Sequence, residues 1–404
     1  MTKIKRRSWV IIDHPLYFLL ACNLSLILSR ACGYKSNLLI SKHVYWKYLR
    51  IGKYRRYFSK IHYFDRFDYP APHTNIIKQI IYSLLLFPRF FLLKRKLLSL
   101  KLGSKDIVFT ISGCTFLEDM IVGNFHTFRK IIILPYQNYL SWKGALNSSA
   151  YGTNIAIEIA QIIKRIFKMS PTVFKYKKKK NNLGVGDYYL GQKEKFSKIF
   201  DSVILTVGAY EGSIRKVREN NVYLAQYPNL VKSVSSRKST KKKIVFLGTY
   251  FLRGEDADPR IFTREINKYL DYLRNLYFGK YELTYKPHPR ESSESKLLDL
   301  KGFKITNDRK PAEIYFLENR ENIKSVFSIS SLASQSAHHM GINSYLFFKL
   351  FPFTRGKRLV FTDFFSVLPP ECLIDSLKTP PKRIKPGGSQ STSSLEKIVG
   401  RAVL

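Results

Sequence analysis

Two stretches in the second half of the chain carry side chains suited to chemistry on a phosphate-bearing substrate. The first reads Tyr285-Lys286-Pro287-His288-Pro289-Arg290-Glu291. Prolines on both sides of His288 restrict the backbone, so the imidazole is presented in a fixed direction. Lys286 and Arg290 place positive charge beside it. The second stretch is SVFSISSLAS, in which Ser330 and Ser331 end a β-like run and open a helix-like one. Hydroxyls and backbone N–H groups at such a turn suit a bound phosphate. An acidic cluster, Gly254-Glu255-Asp256-Ala257-Asp258, precedes both. Its carboxylates are candidates for a general base. Asp256-Ala257-Asp258 is formally also a D-x-D metal pattern. No histidine accompanies it in a metal-like arrangement, and the base reading is preferred.

These groups need elements that bring their loops together. Short apolar, β-branched runs predict strands at Trp9–Ile12, Asp106–Ile111, Lys130–Leu134, Val203–Val207, Val222–Ala225, Ile244–Leu247, Glu282–Lys286, Ser325–Ile329 and Ser344–Phe348. Helical stretches lie between them, at Pro15–Arg30, Ile155–Phe167, Phe262–Leu276, Ala312–Asn319 and Leu332–Met340. Such alternation argues for parallel sheets with crossover helices. Gly248, His288 and the serine pair then all fall at carboxyl ends of strands, the edge where open α/β sheets bind ligands. The polar run VKSVSSRKSTKKK predicts a linker at 232–243. That leaves an N-terminal lobe at 1–231, a C-terminal lobe at 244–378 and a Pro, Gly, Ser and Lys-rich tail at 379–404.

The combination resembles the bacterial sialyltransferases, which carry an acidic motif, an HP motif and a serine motif. It resembles in particular the lipooligosaccharide sialyltransferases of glycosyltransferase family 52 and the related capsule polysialyltransferases. YKPHPRE fits the HP motif and FSISSLAS the serine motif, and SWVIIDHPLYFLLACNL looks like the family's first strand and helix. Ala257 stands where the acidic motif has glycine, so Asp256, Asp258 and Glu255 all remain open as the base. The resemblance implies an α/β fold of the GT-B type, two Rossmann-like lobes facing a central cleft. It implies a CMP-activated donor, most simply CMP-sialic acid, and a cell-surface glycan or lipid-linked glycan acceptor. His288 would meet the departing phosphate. Lys286, Arg290, Ser330, Ser331 and Gly248 would bind the donor, and Asp256 would deprotonate the acceptor. No metal and no cofactor are expected.

Composition describes the surroundings. With 69 Lys+Arg against 29 Asp+Glu the net charge is +40, which calls for a polyanionic neighbour: nucleic acid, an anionic membrane or an acidic substrate. The runs Lys177–Lys180 and Arg237, Lys238, Lys241, Lys242 and Lys243 read as solvated loops. Apolar residues make up 45%, with 29 Phe and 26 Tyr, which excludes disorder for most of the chain. Cys22, Cys32, Cys114 and Cys372 form no C-x-x-C pair, so a zinc ribbon or disulfide scaffold is disfavoured and a reducing compartment fits. Trp9–Leu28 is interrupted by Asp13, His14 and Pro15 and reads as strand, turn and helix rather than a span or signal peptide. Ile76–Leu102 is too charged to span. It reads either as a basic amphipathic helix on a membrane surface or as an ordinary helix with a wet basic face.

The expectation is a cytoplasmic enzyme, peripheral at the inner face of the cell membrane, with no nucleic-acid partner. A CDP-polyol phosphotransferase of the teichoic-acid type is the alternative enzyme, since it also pairs an HP motif with serines. A basic nucleic-acid-binding protein explains the charge but not the motifs. His14-Pro15 reads as a helix start, Glu211-Gly212 as a loop, Tyr136-Gln137-Asn138 as residues that follow the strand Lys130–Leu134 and face the cleft, and His338-His339 as packing.

Overall fold

The computed structural model describes residues 7–12, 15–33, 35–42, 49, 51–65, 76–111, 116–134, 166–167, 200–206, 222–226, 231, 241–249, 259–288, 291, 297–307, 310–353, 358, 361–362, 365, 368–384 and 393–403. Outside them lie His14, Tyr136-Gln137-Asn138, Lys177–Lys180, Glu211-Gly212, Arg237, Lys238, the cluster Gly254–Asp258, Pro289, Arg290, Cys114 and nearly all of the Ile155–Phe167 helix. The chain divides into two units. The first is Met1–Trp46, Arg50–Pro228 and Ser391–Leu404. The second is Lys47–Leu49 and Asn229–Gln390.

In the first unit the described residues form an eight-stranded sheet. Its strands are β1 (Ser8–Ile12), β2 (Asn37–Ser41), β3 (Ile61–Phe64), β4 (Ile107–Ile111), β5 (Arg129–Leu134), β6 (Ser202–Thr206), β7 (Val222–Gln226) and β13 (Ser393–Ser394). They run in the order β13-β7-β6-β5-β4-β1-β2-β3, and every pairing is parallel. The central strands SWVII and IVFTI are buried at every residue. That is why they read as unbroken apolar runs: a parallel sheet covered on both faces has no wet side to alternate with. A bidentate Arg7–Asp106 pair at 2.8 and 2.9 Å ties the start of β1 to the start of β4.

Helix α1 (Phe18–Cys32) enters through a 3-10 turn at Pro15–Tyr17, where the fixed φ of proline suits a helix start. It ends at Gly33, whose φ of +73° only glycine adopts cheaply and whose N–H caps the Ser29 carbonyl at 3.0 Å. Helix α7 (Leu395–Val403) packs against α1 with Leu395, Ile398, Val399 and Val403 buried. Helix α2 (Ile76–Leu98) runs through Pro88 and stops short of Leu102. Its inward stripe, Phe90, Leu93 and Leu97, joins Trp9, Ile11, Leu39, Phe64 and Val108 in the core, together with Leu117 and Met120 of α3 (Phe116–Asn124).

The second unit holds a five-stranded parallel sheet of β8 (Lys243–Leu247), β9 (Glu282–Lys286), β10 (Lys304–Ile305), β11 (Ile323–Ser328) and β12 (Asn343–Leu346), in the order β10-β9-β8-β11-β12. Helix α4 (Pro259–Tyr277) buries Ile266, Tyr269, Leu270 and Leu273 along one stripe, and Tyr269 stacks on Phe347 with ring centroids 4.5 Å apart. Helices α5 (Ala312–Asn319) and α6 (Ala333–His339) flank β11 in sequence.

Candidate active site

In the second sheet β8 is the first strand. β9 and β10 lie to one side of it, and β11 and β12 to the other. The winding reverses between β8 and β11, and in doubly wound sheets ligands bind at the carboxyl ends of the strands flanking that reversal. The registers Leu247↔Lys286 and Phe246↔Phe327 bring the ends of β9, β8 and β11 to one edge. Gly248 follows β8, Pro287-His288 follows β9, and Ser330-Ser331 follows β11 two residues beyond Ser328. The three loops expected to bind the donor are therefore neighbours at the switch point.

The histidine loop is held by its own backbone and by a carboxylate. The Gly248 N–H donates to the Lys286 carbonyl at 2.8 Å, extending the β8–β9 ladder by one rung. The Glu291 N–H donates to the His288 carbonyl at 2.9 Å. Glu291 Oε2 accepts from the His288 N–H at 2.7 Å, and Oε1 accepts from the Tyr285 hydroxyl at 2.5 Å. Burial first, then the Glu291 carboxylate, holds the Tyr285 hydroxyl far above its ordinary pKa, so it stays a donor. His288 and Glu291 are half-buried, and Tyr285 is buried.

The serine loop is held from beneath. Ser328 and Ser334 are fully buried and share a hydroxyl–hydroxyl hydrogen bond of 2.7 Å. The Ser331 N–H donates to Ser328 Oγ at 3.2 Å, and Ser331 Oγ accepts from the Ala333 N–H at 3.3 Å. Further in, the Ser336 hydroxyl donates to buried Glu313 Oε1 at 3.3 Å. Ser330 and Ser331 stay half-buried at the edge. Helix α6 has only seven residues, and the N–H groups of Ser331, Ala333 and Ser334 are taken up inside the turn, so the Ser330 and Ser331 hydroxyls are the groups left to meet an anion.

Lys286, the last residue of β9, reaches toward the segment between β10 and α5. It is 3% exposed, its ammonium donates to the Lys310 carbonyl at 2.9 Å, and it lies 5.3 Å from the centre of the Tyr315 ring. Lys310 in turn pairs with Glu318 at 2.6 Å. Among the described residues no group of three His, Cys, Asp or Glu is placed to hold a metal ion. His338 and His339 sit on α6, and burial lowers both pKa values. For His339, with His338 beside it, the value falls to about 4. The motif reading gave no role to Glu291, Tyr285, Ser328 or Ser334. The spacing of Glu291 three residues after His288, as in a capping box, is the signal that marks it.

Two Rossmann-like units of parallel sheet, one with these loops at its switch point, make this an α/β protein of the GT-B class. The profile of the alpha-2,8-polysialyltransferase (POLYST) family matches residues 61–333, well over half of the chain, and the chain belongs to that family. It is a glycosyltransferase that moves sialyl residues from a sugar-nucleotide donor to a glycan acceptor. No curated protein sequence matches it significantly. Among solved structures it is similar to an alpha/beta-galactoside alpha-2,3-sialyltransferase from Photobacterium phosphoreum, at 10% identity over 91% of this chain and 98% of that one, with a TM-score of 0.47. It is also similar to the GT-B domain of a Photobacterium damselae sialyltransferase, at 13% identity over 84% and 90%, with a TM-score of 0.43. The calicheamicin glycosyltransferase CalG4 aligns at 8% identity over 88% and 84%, with a TM-score of 0.46.

Proposed function

We propose that the donor is CMP-sialic acid and that its departing phosphate is met by the loops that end β8, β9 and β11. The observation that carries this reading is the convergence of Gly248, His288 and Ser330-Ser331 at one switch point. When the bond between the sugar's anomeric carbon and the CMP oxygen breaks, negative charge builds on the phosphate. His288 protonates or hydrogen-bonds that oxygen, and the Ser330 and Ser331 hydroxyls hold the others, with Arg290 adding charge. The acceptor hydroxyl forms the new glycosidic bond and gives its proton to a carboxylate, Asp256 or its neighbour Asp258. Gly248 leaves room for the turn that carries His288. Lys286 serves by bracing β9 against Lys310 and Tyr315.

Purified protein offered CMP-sialic acid, CMP-Kdo and CDP-glycerol is expected to release free CMP from CMP-sialic acid when a sialylated glycan acceptor is present. Turnover of CDP-glycerol alone would instead identify a polyol phosphotransferase. Asp256→Asn and Asp258→Asn, measured in the same assay, decide the base, because only one should stop transfer while donor affinity is kept.

We further propose that α2 lays the enzyme on the anionic inner face of the cell membrane. Ile81, Leu84, Leu85, Phe91, Leu92 and Leu98 are each between 52% and 65% exposed. They form one stripe at helical spacing, opposite the buried stripe of the same helix. No acidic residue occurs in α2, whereas Lys78, Arg89, Lys94, Arg95 and Lys96 do. An apolar face with a basic border is the pattern of a helix lying in the plane of a lipid surface. Among the described residues no helix is long and apolar enough to cross a membrane.

A further inference from the structure

We propose that Glu291 is a positioning residue for the transfer reaction, a carboxylate clamp that fixes the backbone of His288 and so aims its imidazole. The inference rests on the catalytic reading of His288 given above. One carboxylate gathers three points from two adjacent strands. Oε2 takes the His288 N–H at 2.7 Å, and Oε1 takes the Tyr285 hydroxyl at 2.5 Å. The same group fills the space over Gly248. A Cβ at that position would stand 2.7 Å from the Tyr285 oxygen, 2.9 Å from the His288 nitrogen, and against the Glu291 carboxylate itself. Real Cβ atoms essentially never show such contacts, and the His288 nitrogen is backbone, so the clamp as built requires glycine at the end of β8.

The chemistry of the clamp selects glutamate. Both of its partners are donors, and Tyr285 keeps its proton because burial and the carboxylate raise its pKa. Only an ionised carboxylate accepts at both oxygens. A glutamine would turn an NH₂ toward one of the two donors, and an aspartate is one methylene short. The reciprocal bond from the Glu291 N–H to the His288 carbonyl at 2.9 Å ties Glu291 to His288 a second time, and Tyr285 anchors the carboxylate to the sheet. A histidine that protonates a leaving group must hold its ring within a fraction of an ångström, and a misplacement of about 1 Å costs roughly 10²-fold in rate.

The test compares Glu291→Gln, Tyr285→Phe, Gly248→Ala and His288→Ala in the full chain, reading kcat and donor KM separately and following thermal unfolding alongside. Glu291→Gln is expected to lower kcat by about 10–10²-fold with little change in donor KM. Tyr285→Phe, which removes one arm, should fall between it and wild type. Glu291→Asp should recover part of the loss. The double variant Tyr285→Phe/Glu291→Gln should be no slower than Glu291→Gln alone, because both cut the same linkage. In NMR, the His288 ring resonances should shift and broaden in Glu291→Gln. Wild-type kcat in Glu291→Gln, or a loss confined to donor KM, overturns the clamp. If Glu291→Gln does not fold, Tyr285→Phe and Gly248→Ala decide: wild-type kcat in both overturns the clamp equally. His288→Ala separates the two ideas. If it keeps full turnover the catalytic reading fails, whereas an inactive His288→Ala beside a fully active Glu291→Gln removes the clamp alone.

Discussion

The two sheets are wound alike. Outward from the first strand of each, the first unit runs β3-β2-β1-β4-β5 and the second β10-β9-β8-β11-β12. Both have a reversal point and buried, apolar central strands. In the second unit the strand ends at the reversal carry Gly248, His288 and the serines. In the first unit the residues that follow β1 and β4 lie outside the described chain, and its distinctive feature is α2, with an apolar stripe on either side. Winding determines where a parallel sheet can hold a ligand. The loops at that edge determine whether it does anything there, and a helix far along the chain can give the other unit an unrelated task. The proposed division is chemistry in the second unit and attachment through the first.

The sharpest way to break that division is His288→Ala. A positioned acid contributes roughly 10²–10⁴-fold, and turnover should fall by that order while vesicle binding stays at the wild-type level. Full activity would remove the second unit from the chemistry. Next in size, Ser330→Ala and Ser331→Ala should each weaken donor binding by about 0.5–3 kcal/mol, seen as a raised donor KM with kcat less affected. A pure kcat effect would move the serines from holding the phosphate to acting on it.

On the other side of the comparison, Leu84→Glu/Phe91→Glu should weaken flotation with anionic vesicles. Wild-type binding should decline with salt, since each lysine or arginine near such a surface contributes about 1 kcal/mol. Equal binding to neutral vesicles, or unchanged binding by the double variant, would count against α2. The smallest effect concerns acid. Burial and His338 hold His339 at about 4 in the fold, against 6.5 as its ordinary value. Between those values the unfolded chain binds the extra proton, so the stabilisation is complete above about pH 6.5 and is lost progressively as pH falls toward 4. Because α6 belongs to the second unit, that unit should be the one that softens on acidification, and His339→Gln should flatten the slope. Identical acid profiles for wild type and variant would refute this.

All nine strands expected from apolar runs are present within a residue or two at most ends. Those that escaped are instructive. β3 (IHYF) is four residues with one buried, so it shows little apolar signal, whereas β2 (NLLIS) is as long as β1 and buried at four of five positions and was simply passed over. β10 and β13 are two residues each and exist only because a neighbour offers a ladder. The helix expected over Ile76–Leu102 is present as α2, which runs through Pro88, as tertiary packing of Phe90, Leu93 and Leu97 outweighs one lost backbone bond. In the candidate site, the gathering of Gly248, His288 and Ser330-Ser331 at one sheet edge was legible because strand ends locate them. For Lys286 strand ends fix only the backbone: a long aliphatic stem can carry an ammonium to either side of a strand, and its bond to the Lys310 carbonyl and its place beside the Tyr315 ring had no signal in the sequence. Glu291 was only half legible: its spacing three residues after His288 marks the bond to the backbone N–H, but its second partner, a buried tyrosine, leaves no motif.

The first unit is interrupted by the second. The chain leaves its sheet after β7, builds residues Asn229–Gln390 elsewhere, and returns as β13, which pairs in parallel with β7 itself, and as α7, which covers α1. Departure and return thus use neighbouring strands of one sheet. During synthesis, when domains form as they emerge, the second unit is fully translated while the first still lacks an edge strand and a helix. A nascent chain would therefore hold a complete second unit while the α1 face of the first stays open until residues 393–403 arrive, so the unit that is begun first is completed last.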